Sequence, residues 1–386
     1  MSKGDEDVLM TFGMADNRID IDLGAITHNW GYLDSMSPKS TVTAAMVKAD
    51  GYGLGANHVG GALYQAGCRQ FFVANLDEAA SLRNNLDNIN GTDAQIMVLH
   101  GCHRGQENDM RAYRLTPVLN DLEQLSRWRL FAQNANETYP ALLHLDTGMT
   151  RLGFDPDQTD WLIENNQALN GLDITYVMSH LVSAERANDP VNNAQKVLFD
   201  EHRSFFAGMK ASLANSGGIF LGVDYHYQMT RPGIAIYGVH PCGKDEAQKH
   251  TDGLKQTAAW HARIIQVQSA PAGATVGYGG THKLARPSRI ATVGVGYADG
   301  YHRALGNKAF VNILEHRAPV IGRVSMDSIT IDVTDIPADI MLKAETVALL
   351  SNLYSIEDMA NDASTVPYEI LTGISHRARR RYLDYL

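Results

Sequence analysis

Between residues 42 and 237 short apolar runs recur, at 42–47, 70–74, 95–99, 115–119, 141–145, 174–179, 211–214 and 233–237. Each is too short for a core helix and reads as a buried strand. Helix-compatible stretches separate most of them, at 57–66, 76–84, 122–133, 157–166 and 190–209. Eight strand-helix units spread over about 200 to 250 residues predict a closed parallel barrel with its site at the carboxyl ends of the strands. An open doubly wound sheet is the competing fold, and no GxGxxG follows an early strand to support it.

The pattern changes beyond about residue 252. Runs at 260–267, 290–295, 318–324, 329–333 and 346–350 read as strands with turn residues between them. The expected fold class is therefore α/β: an N-terminal eight-stranded α/β barrel of the TIM type followed by a mainly β domain. The barrel is assigned residues 18–247 and the β domain 248–386, with the boundary in the polar stretch 240–253. Residues 1–17 read as a flexible tail, 18–23 as a strand and 24–36 as a helix stopped by Ser37-Pro38. The basic run 377–381 reads as a solvated or pairing surface.

With 386 residues, 44% hydrophobic and 20% charged, the chain is long enough for substantial cores. Its net charge of -10 argues against nucleic acid or an anionic membrane as a general partner. The start lacks the basic-then-apolar layout of a signal peptide, and no apolar run reaches membrane-spanning length, so the cytoplasm is expected. Cys68, Cys102 and Cys242 are odd in number and ungrouped. They predict inert thiols, with neither a disulfide framework nor a metal site.

The stretch Met46-Val47-Lys48-Ala49-Asp50-Gly51-Tyr52-Gly53-Leu54-Gly55 closes the first apolar run with a lysine and a glycine-rich turn. A buried amine of lowered pKa at a strand's carboxyl end is a candidate Schiff-base former or general base. On its own the stretch fits a snorkelling lysine before a surface turn better.

Five ordered segments change that weighing: 47–53, 144–153 (His-Leu-Asp-Thr-Gly-Met-Thr-Arg-Leu-Gly), 229–234 (Met-Thr-Arg-Pro-Gly-Ile), 294–300 (Gly-Val-Gly-Tyr-Ala-Asp-Gly) and 322–327 (Gly-Arg-Val-Ser-Met-Asp). With them the chain closely resembles alanine racemases, pyridoxal-phosphate enzymes of fold type III, from Arg18 to its last residues. The resemblance implies a homodimer with shared active sites that interconverts L- and D-alanine through an external aldimine and supplies D-alanine for peptidoglycan. Lys48 then carries the cofactor and serves one face of the substrate, and Tyr278 from the partner subunit serves the other. His180 matches a histidine in the network around that tyrosine, Arg231 the arginine at the pyridine nitrogen, and Arg151 the arginine near the cofactor's phenolic oxygen and the substrate carboxylate. Tyr52, Ser216, the amides of Gly233 and Ile234, and Tyr368 match phosphate contacts. Met326 and Asp327 match substrate-side residues of the partner chain, while Tyr297, Arg303, Glu185 and Val366 match the entrance to the site.

One departure stands out. Many family members have a carbamylated lysine seven residues before the first arginine, and this chain has His144 there. A neutral histidine accepts a hydrogen bond but lacks the carbamate's charge. The alternatives are a broad-specificity racemase for serine or basic amino acids, a decarboxylase of basic amino acids, a non-enzymatic cofactor-binding barrel, and a scaffold. A decarboxylase usually has a catalytic cysteine in its β domain, and no cysteine follows Cys242.

Overall fold

The computed structural model describes residues 16–242 and 253–383. The chain forms two compact units, Leu23–Lys255 and a second made of Met1–Asp22 with Gln256–Leu386.

The first unit is the barrel. The strands Ala45–Met46, Gln70–Val73, Gln95–Val98, Leu115–Leu119, Tyr139–His144, Leu172–Met178 and Lys210–Ser212 pair in that order, all parallel. The eighth strand is Met229–Thr230, which pairs in parallel with Val42–Thr43 at the start of the first. It is tied to the seventh by Gln228 N–H donating to Ala211 O at 3.1 Å and Arg231 N–H to Ala214 O at 2.9 Å. This corrects the expected eighth strand at 233–237. There the amides of Ile236 and Tyr237 donate back to the carbonyls of Gly233 and Ile234, forming successive turns. Pro232 cannot donate to a ladder, and Gly233 N–H turns instead to Ser216 Oγ at 2.8 Å.

Helices follow the strands where the apolar spacing places them, including Ala56–Gln65, Leu76–Asn88, Leu122–Ala135, Pro156–Glu164 and Pro190–Arg203. Asn75, Asp121 and Asp155 cap three of them by accepting from the amide three residues on. Their buried faces carry Leu82, Leu86, Leu125, Trp128 and Phe199 onto the sheet. Full burial of such side chains contributes about 1.5–3 kcal/mol each. Burial also pushes the thiols of Cys68 and Cys102 up to about 12, leaving them inert.

The second unit is mainly β. Its long strand Ala258–Ala270 pairs antiparallel with Asn17–Asp22, Ser288–Val293 and Thr346–Leu350. Ile329–Asp332 pairs with Ser288–Val293, while Phe310–Ile313 bridges His316–Pro319 and Thr346–Leu350. Asn17–Asp22 also pairs in parallel with Arg379–Leu383. The strand at 18–22, assigned above to the barrel, therefore belongs to the β unit. Its ladder partners lie more than two hundred residues away, and local alternation says nothing of them. Of the expected tail, residues 1–15 lie outside the described residues, and Asn17 is already in the strand. The expected boundary at 247/248 also falls outside them. The basic run is a pairing surface: Arg381 grips Asp20 through two bonds of 2.7 Å, and Arg377 meets Asp327 at 2.7 Å. Among the described residues no helix is long and apolar enough to cross a membrane.

Candidate active site

Lys48 follows the first barrel strand directly and opens a turn of unusual hand. Ala49, Asp50, Gly51 and Tyr52 all have φ between 51 and 62°, the left-handed region. That conformation costs roughly 1–2 kcal/mol for each residue with a β-carbon. The turn is held by Gly51 N–H to Val47 O at 2.9 Å, Gly53 N–H to Ala49 O at 2.8 Å and Gly55 N–H to Asp50 O at 2.8 Å. Asp50 Oδ1 accepts from Ala56 N–H, and the Glu78 carboxylate accepts from Ala49 N–H, both at 2.8 Å. The amides of Gly51, Gly53 and Gly55 are spent within the turn and that of Ala49 on Glu78, and the turn carries the Tyr52 side chain. Burial lowers the pKa of the Lys48 amine, the charge of Arg151 lowers it further, and Glu78 opposes both.

Tyr52 is buried, its ring stacked on Tyr237 at 4.5 Å, and Tyr237 Oη donates to Met46 O at 3.0 Å. The Tyr52 hydroxyl lies against Gly233, where a β-carbon would collide with Oη and come within 3.0 Å of Cζ. Gly233 follows the eighth strand and Ser216 follows the seventh; Ser216 Oγ accepts from Gly233 N–H at 2.8 Å and Ala235 N–H at 3.3 Å. Ser216 Oγ, accepting from both amides, keeps its own proton to donate, and with Tyr52 and the Gly233 backbone it forms a neutral cradle where barrels commonly hold phosphate. Ile234 is buried beside Gly233. The set fits the phosphate of pyridoxal phosphate, and the half-buried amine of Lys48 fits its aldehyde.

Arg231 is fully buried, and its guanidinium donates to Ser179 O at 2.5 Å, Leu213 O at 3.4 Å and Ser212 Oγ. All three are neutral acceptors. Burial pushes Arg231 down to about 9, so it stays protonated at neutral pH. His180, beyond the sixth strand, is held well below its usual pKa by burial, then by the charges of Arg231 and Arg151. Asn215 Oδ1 accepts from Gly218 N–H, so its amide group faces Leu181 O at 3.2 Å and His180 Nε2 at 3.4 Å. His180 is thus a neutral imidazole accepting at Nε2.

His144 ends the fifth strand. Asn120 donates from Nδ2 to Leu99 O and Val118 O, each at 2.9 Å, which leaves Oδ1 to meet His144 Nδ1 at 2.9 Å. The imidazole therefore carries its proton on Nδ1 and keeps a lone pair on Nε2. Burial and the charge of Arg231 push it down to about 3. Arg151 projects from the next loop, which Asp146 shapes by accepting at Oδ1 from the amides of Gly148, Met149 and Thr150 at 2.9, 2.8 and 3.1 Å.

The barrel thus brings Lys48, Tyr52, His144, Arg151, His180, Ser216, Arg231, Gly233 and Ile234 to the carboxyl ends of its strands; Glu185 lies exposed in the loop after the sixth. Tyr278, Tyr297, Arg303, Met326, Asp327, Val366 and Tyr368 are carried by the β unit, all exposed; Tyr278 keeps 72% of its surface accessible. Asp327 is engaged by Arg377. Sequence reasoning missed Glu78, Asn120 and the polar role of Asn215.

Comparison with known proteins agrees with this geometry. The family description "Alanine racemase, N-terminal domain" matches residues 21–241, and "Alanine racemase, C-terminal domain" matches 257–382. The catabolic alanine racemase of Agrobacterium fabrum is 42% identical over 372 residues, covering 96% of this chain and 93% of that protein. The alanine racemase of Brucella abortus is 42% identical over 372 residues, covering 94% and 92%. Among solved structures, alanine racemase from Bartonella henselae with covalently bound pyridoxal phosphate superposes with a TM-score of 0.89 at 37% identity, covering 96% of this chain and 100% of that one. The biosynthetic alanine racemase of Pseudomonas aeruginosa gives 0.83 at 32% identity, with 96% and 100% covered.

Proposed function

The chain belongs to the alanine racemase family, a family of pyridoxal-phosphate-dependent racemases, and from that premise we propose that it exchanges the α-proton of alanine between two bases, Lys48 on one face and the partner subunit's Tyr278 on the other. The observation that carries this reading is the convergence, at one end of the barrel, of half-buried Lys48, the Tyr52–Ser216–Gly233 cradle and buried Arg231. Pyridoxal phosphate, when bound, supplies the electron sink that acidifies the α-hydrogen.

Lys48 would hold the cofactor, and burial with the charge of Arg151 lowers the pKa of its amine, the direction a general base requires. Tyr52, Ser216, the amides of Gly233 and Ile234, and Tyr368 hold the phosphate. Arg231 would lie at the ring nitrogen, where a guanidinium that is already protonated disfavours protonation of that nitrogen. Arg151 receives the substrate carboxylate together with the partner's Met326 and Asp327. His180, neutral and an acceptor, belongs to the proton network of the opposing tyrosine. His144 offers Nε2 toward Arg151 as a neutral substitute for the carbamate.

Tyr297, Arg303, Glu185 and Val366 line the entrance, which we read as sized for alanine, since a small pocket rejects larger side chains by steric cost. The assembly is a cytoplasmic homodimer in which the barrel binds the cofactor and the β domain completes the partner's site. Its product is D-alanine for peptidoglycan.

The test is direct. The purified protein should carry the visible absorbance of a lysine-bound cofactor and abolish the optical rotation of L-alanine. Lys48→Ala should lose that absorbance, and an unchanged spectrum would remove Lys48 from its role. Turnover of L-alanine should exceed that of L-serine and L-arginine, and preferred turnover of arginine would overturn the substrate reading. Rescue of a bacterium that requires D-alanine tests the cell-wall role.

A further inference from the structure

We propose that Glu78 is a positioning residue for Lys48: its carboxylate ties the left-handed turn that begins one residue beyond Lys48 to the loop of the neighbouring barrel strand. The proposal rests on the reading of Lys48 as the cofactor-bearing residue. The geometry uses both oxygens. Oε1 accepts from Ala49 N–H at 2.8 Å, one residue beyond the lysine, and Oε2 accepts from Ala74 N–H at 2.8 Å, beyond the second strand.

Glu78 is the third residue of the helix Leu76–Asn88, and its own amide is fixed by Asn75 Oδ1 at 3.0 Å. A glutamate there serving only its helix reaches back to the amide of the capping residue. Glu78 reaches past it, to two loops instead. The helix beneath is anchored by Leu82 and Leu86, both fully buried, so the carboxylate is presented from a rigid base. What it holds is strained: Ala49, Asp50 and Tyr52 carry β-carbons in the left-handed region, and the backbone needs external bonds to stay there. A glutamine cannot replace the carboxylate fully, because its amide nitrogen would face an N–H donor.

Charge is the second part of the role. The amine is acted on by Arg151, which favours the free base, and by Glu78, which favours the ammonium; His180 nearby is neutral. Removing the carboxylate leaves Arg151 unopposed, and the amine loses its proton more readily.

Glu78→Gln and Glu78→Ala, prepared as cofactor-loaded enzymes, test both parts. In Glu78→Ala, amide hydrogen exchange over 49–55 and at Ala74 should rise about tenfold or more, with the strand at 139–144 unchanged. In Glu78→Gln, the pH at which the visible cofactor band titrates should fall by about half a unit or more. Wild-type exchange and wild-type titration in these variants overturn the proposal. Should Glu78→Ala fail to fold, the near-isosteric Glu78→Gln carries the exchange measurement as well. A wild-type protein without a lysine-linked band sinks the reading of Lys48 instead, and exchange at Ala49 and Ala74 still decides whether Glu78 holds the turn.

Discussion

Gly233→Ala tests the cofactor cradle with one methyl group. Gly233 has no backbone angle that excludes alanine, so the substitution acts through space alone. The new β-carbon would overlap Tyr52 Oη and lie within 3.0 Å of its Cζ and 3.4 Å of Met46 Cβ. Tyr52 has little room to withdraw, since its ring is buried and stacked on Tyr237 at 4.5 Å. Two losses follow. Overpacking of this kind costs about 1–3 kcal/mol of stability. On the proposed placement of the phosphate, displacing the tyrosine hydroxyl removes a bond to a charged group worth about 1.5–3 kcal/mol. The second loss corresponds to roughly 10- to 100-fold weaker cofactor binding. Fluorescence titration of the cofactor-free protein with pyridoxal phosphate gives the affinity, and urea unfolding of the same protein gives the stability. Adding Tyr52→Phe to Gly233→Ala removes the colliding oxygen, so the double variant should regain most of the lost stability without regaining affinity. Wild-type affinity in Gly233→Ala would refute the placement of the phosphate between Tyr52 and Gly233.

The remaining expectations concern proton transfer and pH. Tyr278→Phe should suppress α-proton exchange with solvent for one alanine enantiomer far more than for the other, at nearly unchanged cofactor affinity; equal suppression of both, followed by NMR in deuterated water, contradicts separate bases. His144 has a folded pKa of about 3 against an ordinary 6.5. Between those values the unfolded chain binds more protons, so this group's contribution is fully present above 6.5 and is lost as pH falls toward 3. The slope attributable to one such histidine reaches about 1.4 kcal/mol per pH unit, and His144→Gln should flatten the fall of urea-unfolding stability between pH 6 and about 4. An identical pH dependence in the variant would mean that His144 is not held neutral.

How far the chain could be read beforehand follows from which interactions are local. Apolar runs placed the first seven barrel strands near where they lie, because buried parallel strands are themselves short apolar runs. The eighth escaped for a physical reason: Met229–Thr230 is two residues long, below any periodicity, while the apolar turns after Pro232 imitate a strand. The strand Asn17–Asp22 was visible as a strand but not as part of the β unit, since its partners at 258–262 and 379–383 come from the far end of the chain. The same division holds in the site. Lys48, Arg151, His180 and Arg231 sit in compact motifs, and their types announce their chemistry. Asn120 and Glu78 act through backbone groups that only the folded barrel delivers. Glu78, three residues after Asn75, reads in sequence as an ordinary helix start.

The spending of those carboxylates on the backbone explains how a chain of net charge -10 presents a cationic site. Near Lys48, Arg151 and Arg231, the acidic groups at the strand ends accept hydrogen bonds from backbone amides. Asp146 accepts from three amides of its own loop, Asp50 from Ala56, and Glu78 from Ala49 and Ala74. The neighbours given to Arg231 are neutral oxygens, and the two histidines between the arginines are held uncharged. A buried cation without a carboxylate is costly. That cost is relieved when a ligand brings acceptors of its own, as pyridoxal phosphate and an amino acid do through phosphate, phenolic oxygen, ring nitrogen and carboxylate. Converting an amide-bound acid into a pair with one of these cations would therefore stabilise the empty barrel and weaken its hold on the ligand. The neutral His144 follows the same principle: it donates from Nδ1 to Asn120 and adds no charge to offset that of Arg151.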